Sequence, residues 1–405
     1  MSIVIAYSGG LDTSVALRWL IDRYGTEVYA YCANVGQAED LGGIEAKALA
    51  TGAAGVLVED VRQRFITDYC WRALRANAAY DRQYLLAAPM SRPLIAERVV
   101  RYAESVGADA VAHGATGKGN DQVRFVSGFA ALAPRLKVIA PLLEWDLRSR
   151  NDEIAYAAQH RIPVTVGAER PYSVDTNIWG SSTECGPLDD IDQAPPEEIY
   201  LMTSDPENTG REPEDITIEF ARGLPAAVNG EVLDPVRLVE TLNAIAGRHG
   251  VGRIDILENR VVGFKTRGVY ESPAGTILQF AHRELESVTL DRDTLHLGEQ
   301  LGQRYSELVY DGMWFSPLRR SLDAFFDSAQ GSVTGRITVR VGDGRLRVLR
   351  RNSEYCLYDR EFASYGDDDL FDHKAGSGFA YAFSMPLRLR GLAEAKPAEL
   401  ATGDC

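Results

Sequence analysis

Ala6-Tyr7-Ser8-Gly9-Gly10-Leu11-Asp12-Thr13-Ser14 follows the apolar run of residues 2–7 and precedes residues 15–25, whose apolar side chains recur at helical spacing. This order predicts a buried strand, a glycine-rich turn and a helix. Backbone N–H groups in such a turn, together with the positive end of the helix dipole, favour an anion such as phosphate. The segment matches neither G-x-x-x-x-G-K-[ST] nor G-x-G-x-x-G. It therefore predicts a phosphate-binding turn of a different type.

The first ~165 residues alternate between predicted strands and helices. Residues 28–33, 109–114 and 137–141 are short apolar runs typical of buried parallel strands. Ser91-Arg92-Pro93-Leu94 is expected to open a helix, with Pro93 in its first turn. The pattern predicts an α/β fold with a doubly wound parallel sheet, which binds ligands at the carboxyl ends of its strands.

The character of the sequence changes after Pro163. Residues 186–215 are rich in proline and acidic side chains and are expected to form a long surface connection. Beyond them, Asn229-Gly230 and Gly342-Asp343-Gly344 predict hairpins of an α+β region. We therefore predict a nucleotide-binding domain at 1–165, a second domain at 166–384, and a short helix with a frayed tail at 385–405.

Composition excludes several classes of protein. The 405 residues carry 43 basic and 58 acidic side chains, a net charge of −15, which is unlike a general nucleic-acid binder. No apolar run approaches the ~20 residues of a membrane span, and the N-terminus has no secretory pattern. The five cysteines form no C-x-x-C pair and the six histidines no H-E-x-x-H pair. We predict no metal-ligating side-chain cluster and a reducing, cytoplasmic location.

Three further segments carry dense polar chemistry. Residues 112–125 follow a predicted strand end, and Thr116, Asn120, Asp121 and Arg124 there suit a zwitterionic amino acid, because arginine pairs with a carboxylate and aspartate with an ammonium group. Residues 171–182 and 258–271 are similarly polar and glycine-rich. By themselves these two segments are equally typical of surface loops.

The S-G-G-x-D-[ST]-[ST] turn resembles that of the N-type ATP pyrophosphatases, which split ATP between the α- and β-phosphates. The four segments together, in order and continuing through residues 308–317, closely resemble the argininosuccinate synthase family over nearly the whole chain. The resemblance implies a Rossmann-like ATP-pyrophosphatase domain, a synthetase and multimerisation domain, a homotetramer bridged partly by C-terminal helices, and a ligase of arginine biosynthesis.

The resemblance also implies roles for individual residues. The ATP site would comprise Ala6, Tyr7, Ser8, Gly9, Gly10, Leu11, Asp12, Thr13, Ser14, Ala33 and Gly114. Aspartate would be held by Thr116, Asn120 and Asp121. Citrulline would be held by Tyr84, Asn120, Arg124, Ser173, Ser182, Glu258 and Tyr270. Among these, Asp12, Asp121 and Arg124 are the residues expected to take part in catalysis.

The implied reaction has two steps. The citrulline ureido oxygen attacks the ATP α-phosphate, giving a citrullyl-adenylate and pyrophosphate, and the aspartate amine then displaces AMP. No covalent nucleophile is needed, so catalysis would rest on positioning and charge stabilisation. Mg²⁺ is expected to bridge the phosphates with few protein ligands, and Asp12 is its candidate indirect partner.

Two positions depart from the family pattern. The family usually has Tyr-Leu-Leu-Gly-Thr-Ser-x-Ala-Arg-Pro, with its serine on citrulline; here the run is Tyr84-Leu85-Leu86-Ala87-Ala88-Pro89-Met90-Ser91-Arg92-Pro93. Pro89 has neither a hydroxyl nor an N–H group, and Ser91 is the candidate replacement. Thr176 stands where the family commonly has Glu or Gln. These changes leave open a ligase that joins aspartate to a different ureido or carboxylate acceptor.

Other functions fit the sequence poorly. A tRNA-thiolating enzyme should have paired or catalytic cysteines and a basic surface, whereas this chain is acidic and its cysteines are scattered. An amidotransferase would need a glutaminase domain, for which the turn at Ser8 leaves no room before it. A ligand-sensing protein that had lost catalysis would be expected to lack turn residues, yet Ser8, Gly9, Gly10 and Asp12 are all present.

Overall fold

The computed structural model describes residues 1–38, 41–163, 171–366 and 370–395. By its internal contacts the chain forms two compact units, Met1–Tyr355 and Cys356–Cys405. The larger unit contains three sheets, and the smaller one contains two helices among its described residues.

The first sheet is entirely parallel and lies near the N-terminus. Its strands are β1 (Ile3–Ala6), β2 (Val28–Asn34), β3 (Gly55–Asp60), β4 (Ala110–Ala112) and β5 (Lys137–Ile139). Their order is β3-β2-β1-β4-β5, with β1 paired to both β2 and β4. The chain reverses its direction across the sheet between β1 and β4, and the carboxyl ends at such a point form a ligand crevice. The predicted α/β fold class is confirmed.

Helices connect the strands of this sheet and follow its last strand. They are α1 (Leu11–Tyr24), α2 (Ile44–Thr51), α3 (Arg62–Phe65), α4 (Trp71–Arg75), α5 (Ala87–Val106), α6 (Asn120–Leu132), α7 (Pro141–Glu144) and α8 (Arg150–Gln159), with a π-helical turn at Ile66–Cys70 between α3 and α4. Helix α1 ends at Gly25, whose φ of 58° is a left-handed C-cap that glycine adopts without strain.

Helix α5 begins earlier than the sequence indicated. We expected Pro93 in the first turn, but the helix starts at Ala87, so that Pro89 occupies the first turn and Pro93 lies inside the helix. The first turn tolerates Pro89 because the N–H groups there have no intrahelical acceptor. The prediction took Pro93 as the proline of the first helical turn, whereas Pro89 occupies that position.

The rest of the larger unit is built on two antiparallel sheets. One has the order β11-β12-β7-β6 and the other β10-β9-β8-β13-β14. The strands are β6 (Ser173–Asn177), β7 (Gly180–Glu184), β8 (Glu214–Ala221), β9 (Leu224–Val228), β10 (Glu231–Val232), β11 (Arg253–Asn259), β12 (Lys265–Glu271), β13 (Gly335–Gly342) and β14 (Arg345–Asn352). The helices are α9 (Pro235–Arg248), α10 (Pro273–Thr289), α11 (Arg292–Tyr310) and α12 (Pro317–Ala329).

Both predicted hairpins are present. Asn229 and Gly230 connect β9 to β10 with φ angles of 52° and 82°, and Asp343 and Gly344 connect β13 to β14 with 49° and 68°. Positive φ at both central residues is the type I′ turn that these sequences favour.

The most extensive hydrophobic cluster of the described residues joins the parallel sheet to the rest of the larger unit. Its buried members include Val4 and Tyr31 of the parallel sheet, Leu94 of α5, Ile277 of α10 and Val339 of β13. The predicted boundary between domains at 165 and 166 falls among residues outside the described ranges, and the two-domain division stays a prediction.

The smaller unit contains α13 (Arg360–Ala363) and α14 (His373–Glu394). The sequence indicated a helix starting at Met385, but Met385 lies inside α14, because Gly376, Gly378 and Pro386 weaken the helical pattern without ending the helix. Among the described residues, no helix is long and apolar enough to cross a membrane.

Candidate functional site

The turn between β1 and α1 is held by its own hydroxyl groups. The Tyr7 and Ser14 hydroxyl oxygens are 3.0 Å apart, and those of Ser8 and Thr13 are 3.1 Å apart. Gly10 is the N-cap of α1 and has no side chain with which to cap it. The N–H groups of the first turn are therefore left for an acceptor such as a phosphate oxygen.

Two neighbouring segments close around this turn. The Lys47 ammonium on α2 donates a hydrogen bond to the Gly9 carbonyl, and burial lowers the pKa of Lys47. At the end of β4, a Cβ added to Gly114 would lie 2.8 Å from Thr13 Cγ2, so only glycine fits there without a shift. Lys47 lies outside every motif in the sequence, and for that reason sequence reasoning missed it.

The carboxyl end of β2 completes the crevice. Ala33 is buried, and its carbonyl accepts a hydrogen bond of 2.8 Å from Gln37 Nε2. The Gln37 Oε1 atom in turn accepts from the Val35 N–H at 2.8 Å. This bonding fixes the backbone beside β1, where the sequence placed the ATP contact of Ala33.

A carboxyl pair lies at the start of α1. Glu153 on α8 lies beside Asp12, and burial together with this neighbouring carboxyl group raises the pKa of Glu153 to about 8. Glu153 is therefore largely protonated at neutral pH. Two carboxylates beside an anion-binding turn are also a donor set that suits Mg²⁺ with substrate phosphates. Among the described residues, no group of three or more ligating side chains forms a metal cage.

His113 is buried between β4 and α6. Its Nδ1 accepts a hydrogen bond of 3.2 Å from the Ala115 N–H, and its ring stacks on Phe125 with centroids 5.5 Å apart. Burial lowers the pKa of His113 to about 4, although the charge of Asp121 acts in the opposite direction. The ring is therefore neutral at physiological pH.

The first turn of α6 and the loop before it carry the residues predicted to bind aspartate. Asn120 is buried; its Nδ2 donates to the Tyr310 hydroxyl at 2.8 Å, and its Oδ1 accepts from the Val261 N–H at 3.1 Å. Thr116 is exposed in the preceding loop, and its carbonyl accepts from the Gly119 N–H at 3.2 Å. The loop leaves the Thr116 side chain open to solvent, while Asn120 is fixed.

Asp121 lies between two arginines. Arg124 Nη1 donates to Asp121 Oδ1 at 2.8 Å, and Arg92 Nε donates to Asp121 Oδ2 at 2.8 Å. Burial alone would raise the pKa of the Asp121 carboxyl, but the two guanidinium groups outweigh it and hold that pKa well below its usual range. Asp121 is a fixed anion and not a proton acceptor near neutral pH.

Arg124 is anchored on its other side by α11. Its Nε donates to the Tyr310 carbonyl at 2.9 Å, and its guanidinium carbon lies 4.9 Å from the centre of the Tyr310 ring. Tyr310 also stacks on Tyr80, with centroids 3.6 Å apart. Tyr310 thus contacts two predicted substrate residues, Arg124 and Asn120, although the sequence gave it no role.

Three of the residues predicted to bind citrulline form a buried cluster. The Tyr84 and Tyr270 rings stack with centroids 3.8 Å apart, and the Tyr270 hydroxyl donates to Glu258 Oε2 at 2.8 Å. A Cβ on Gly268 would lie 2.4 Å from the Tyr270 hydroxyl oxygen, so glycine leaves the space in which this phenol lies. Burial raises the pKa of both tyrosines, which are therefore hydrogen-bond donors and not phenolates.

Cross-strand register brings one of the two predicted serines, Ser182, to the same cluster. Asp175, Ser182 and Tyr270 are direct partners across β6, β7 and β12. Ser173 is exposed and pairs with Glu184, which lies two residues after Ser182 on β7. Ser182 is thus adjacent to the tyrosine cluster, whereas Ser173 lies nearer the open side of the sheet.

The segment that departs from the family pattern is also fixed. Pro89 is buried in the first turn of α5, where the Ala88 N–H donates to the Tyr84 hydroxyl oxygen at 3.3 Å. Ser91 Oγ donates to the Ala88 carbonyl at 2.9 Å and accepts from Arg92 Nη1 at 3.0 Å. The Ser91 proton is therefore already used inside the helix, which disfavours Ser91 as a replacement for a serine at position 89.

The second departure lies on the opposite face of β6. Thr176 Oγ1 accepts a hydrogen bond of 3.1 Å from the Ala38 N–H, whereas its neighbour Asp175 pairs with Arg92 at 2.6 Å. Successive strand residues point to opposite faces. Thr176 therefore binds the segment after β2 and not the tyrosine cluster.

Comparison with known proteins agrees with this geometry. Residues 2–163 match the arginosuccinate synthase N-terminal HUP domain, and residues 172–390 match the arginosuccinate synthase C-terminal domain. The chain belongs to the argininosuccinate synthase family. The family resemblance found in the sequence and the predicted ligase activity are thereby confirmed.

Relatives of the argininosuccinate synthase family match from end to end. The argininosuccinate synthase of Pelotomaculum thermopropionicum is 51% identical over 394 residues, covering 97% of this chain and 98% of the relative. That of Rhodococcoides fascians is 53% identical over 388 residues, covering 96% and 98%. Among solved structures, the U34-tRNA thiolase NcsA from Methanococcus maripaludis matches 43% of this chain and 60% of its own at 16% identity, with a TM-score of 0.28. A score this low supports no conclusion.

Proposed function

We propose that this chain joins L-citrulline to L-aspartate in arginine biosynthesis, converting ATP to AMP and pyrophosphate and forming argininosuccinate. The ureido oxygen of citrulline forms a bond to the α-phosphorus of ATP as the bond to pyrophosphate breaks. The aspartate ammonium group then loses a proton, the free amine attacks the activated ureido carbon, and AMP leaves with the oxygen that came from citrulline.

ATP is proposed to bind at the turn after β1, with its β- and γ-phosphates at the N-terminus of α1. The hydroxyls of Ser8 and Thr13, the first-turn N–H groups of α1 and the Lys47 ammonium lie at this turn. These are the donors that an oxyanion requires. Residues 6–14 therefore hold the leaving pyrophosphate, and Ala33 and Gly114 border the nucleotide.

Aspartate is proposed to bind at the start of α6. The Asp121 carboxylate is ionised. Its Oδ1 accepts from Arg124 and its Oδ2 from Arg92, so the carboxylate retains lone pairs for an ammonium group. Asn120 and Thr116 supply further polar atoms on the same loop and helix turn. This arrangement orients the amine without removing its proton, because a carboxyl with so low a pKa is a poor base.

Citrulline is proposed to bind between α5, α6 and the β6–β7–β12 face. Arg124 suits its carboxylate, and Tyr84, Tyr270, Glu258 and Ser182 line the neighbouring buried surface. Tyr270 is hydrogen-bonded to Glu258, Tyr84 to the Ala88 N–H, and Arg124 to Asp121 and the Tyr310 carbonyl. They form a preorganised site whose contribution is positioning rather than covalent chemistry.

Mg²⁺ is proposed as a phosphate-bridging ion near Asp12, with Glu153 as the second carboxyl at that point. When bound, it would neutralise negative charge on the phosphates. Loss of the Glu153 proton would make a second carboxylate available there.

The assembly is proposed to be a cytoplasmic homotetramer. The described part of α14 has large exposed apolar side chains, namely Phe379, Phe383 and Leu387. An apolar helix of this kind is suited to packing against another copy of the chain.

The observation that carries the proposal is that α6 places Asp121 and Arg124 in direct contact while the turn at Thr13 packs against Gly114, just ahead of the same loop. The proposed ATP and aspartate sites thus lie at the same crevice, where the chain reverses its direction across the sheet between β1 and β4. The test supplies ATP, Mg²⁺ and aspartate with citrulline or a panel of ureido and carboxylate compounds. Pyrophosphate and AMP should form fastest with citrulline, whereas ADP and phosphate as primary products would contradict the proposal.

A further inference from the structure

Arg92 on α5 connects parts of the site that are distant in sequence. Its Nε donates to Asp121 Oδ2 at 2.8 Å, its Nη2 lies 2.7 Å from the same oxygen and 2.6 Å from Asp175 Oδ2, and its Nη1 donates to Ser91 Oγ at 3.0 Å. The contacts join α5, α6 and β6. They use donors on all three guanidinium nitrogens.

The two arginines divide the Asp121 carboxylate between them. Arg124 holds Oδ1 and Arg92 holds Oδ2, so the plane of the carboxylate is fixed from both sides. Asp175 balances the second positive charge, since two arginines and two aspartates make the cluster neutral. The Arg92 side chain is only 15% exposed, so solvent cannot replace these bonds fully.

Resting on the proposed function, we propose that Arg92 is a positioning residue that orients Asp121 toward the aspartate amine and acts mainly on the second step. Arg92 cannot bind a substrate carboxylate through Nε and Nη2 together, because these two donors are already bonded to Asp121 and Asp175. Its action on the first step is therefore small. Lysine cannot reproduce this geometry, since it has one nitrogen and no planar fork.

The test uses Arg92→Lys in the full-length protein, with Arg98→Lys as the matched control. Arg98 lies on the same helix and makes a similar two-point bond, from Nε and Nη2, to Glu59. We expect Arg92→Lys to raise the KM for aspartate roughly 10- to 100-fold, the range of a lost charge-assisted bond. The KM values for citrulline and ATP should change less than about 3-fold, and Arg98→Lys should leave all three near wild type.

The two steps are separated by citrulline-dependent exchange of labelled pyrophosphate into ATP, measured without aspartate. Arg92→Lys should keep most of this exchange. In an Asp121→Asn background, adding Arg92→Lys should raise the aspartate KM little further, since the residue acts through Asp121. Asp175→Asn, which removes the other anchor of Arg92, should shift the aspartate KM in the same direction by a smaller factor.

Equal changes in the citrulline and aspartate KM values, or full additivity with Asp121→Asn, would overturn the positioning role. A fall in exchange as large as the fall in overall turnover would do the same. If the wild-type protein shows no exchange with citrulline, the proposed function itself fails, so the two failures are distinct.

Discussion

Tyr84 and Tyr270 stack with ring centroids 3.8 Å apart and an interplanar angle of 20°. The stack joins the segment before α5 to β12, and the hydroxyls point to different partners: Tyr84 accepts from the Ala88 N–H and Tyr270 donates to Glu258. The geometry of Glu258 therefore depends on an aromatic contact as well as on its own strand.

Tyr270→Phe should keep the stack and remove the donor to Glu258. Leaving a buried carboxylate without this bond costs about 1–3 kcal/mol, so the free energy of unfolding should fall and the citrulline KM should rise several-fold. Denaturant unfolding and steady-state kinetics measure both. Tyr305→Phe is the control, because Tyr305 is a buried tyrosine that donates to Asp323 at 2.9 Å. It should lower stability without changing the citrulline KM; a matching change in KM would show that the effect is general.

Gly114→Ala should weaken ATP binding. The added Cβ would meet Thr13 Cγ2 at 2.8 Å and displace the turn that is proposed to hold pyrophosphate. We expect a KM for ATP at least about 10-fold higher, equivalent to about 1.4 kcal/mol. Thr13→Ser removes the clashing methyl and keeps the hydroxyl, so Gly114→Ala combined with Thr13→Ser should recover most of the affinity. Failure of the double variant to recover would contradict the steric cause.

Pro89→Ser should tighten citrulline if citrulline is the acceptor. A hydroxyl in a polar site contributes about 0.5–1.5 kcal/mol, so kcat/KM for citrulline should rise several-fold. The substitution also restores an N–H group and frees Ala88 from the conformational restriction of a following proline. Comparison of citrulline with close ureido and carboxylate analogues on both proteins gives the specificity. The alternative acceptor would be favoured if the wild type uses one of the analogues better than citrulline and Pro89→Ser lowers the activity toward that analogue.

His113 should make the protein less stable in acid. Burial lowers its pKa from the ordinary 6.5 to about 4, so the unfolded chain takes up a proton between these values and the folded chain does not. The stabilising contribution of the neutral ring is complete above pH 6.5 and falls by about 2 kcal/mol between pH 7.5 and 5.0. Urea unfolding of His113→Gln at both values should show a correspondingly smaller loss. The exposed His296→Gln variant should behave as wild type, and an unchanged pH dependence in His113→Gln would refute the assignment.

Local patterns in the sequence were sufficient for much of the fold. Strand β1, helix α1 and the hairpins at Asn229 and Asp343 depend on residues within a few positions of one another, which is why their patterns are legible. The predicted start of α14 was wrong because the helix contains Gly376, Gly378 and Pro386, residues whose low helix propensity weakens the helical pattern in the sequence.

The site was predicted less completely, for a physical reason. Asp121 and Arg124 are one helical turn apart, so their pairing follows from spacing. Arg92 on α5 pairs with Asp175 on β6. Glu153 on α8 lies beside Asp12 on α1. Such contacts arise only when the sheet brings distant segments together, and no local motif encodes them.

Transfer of the ureido oxygen tests the central claim most directly. The enzyme is given citrulline labelled with ¹⁸O in its ureido group, together with ATP, Mg²⁺ and aspartate, and the AMP is analysed by mass spectrometry. Ligation through a citrullyl-adenylate predicts one ¹⁸O atom in each AMP formed, with unlabelled pyrophosphate. Unlabelled AMP, or product formation with the label kept in the amino-acid product, would contradict the account.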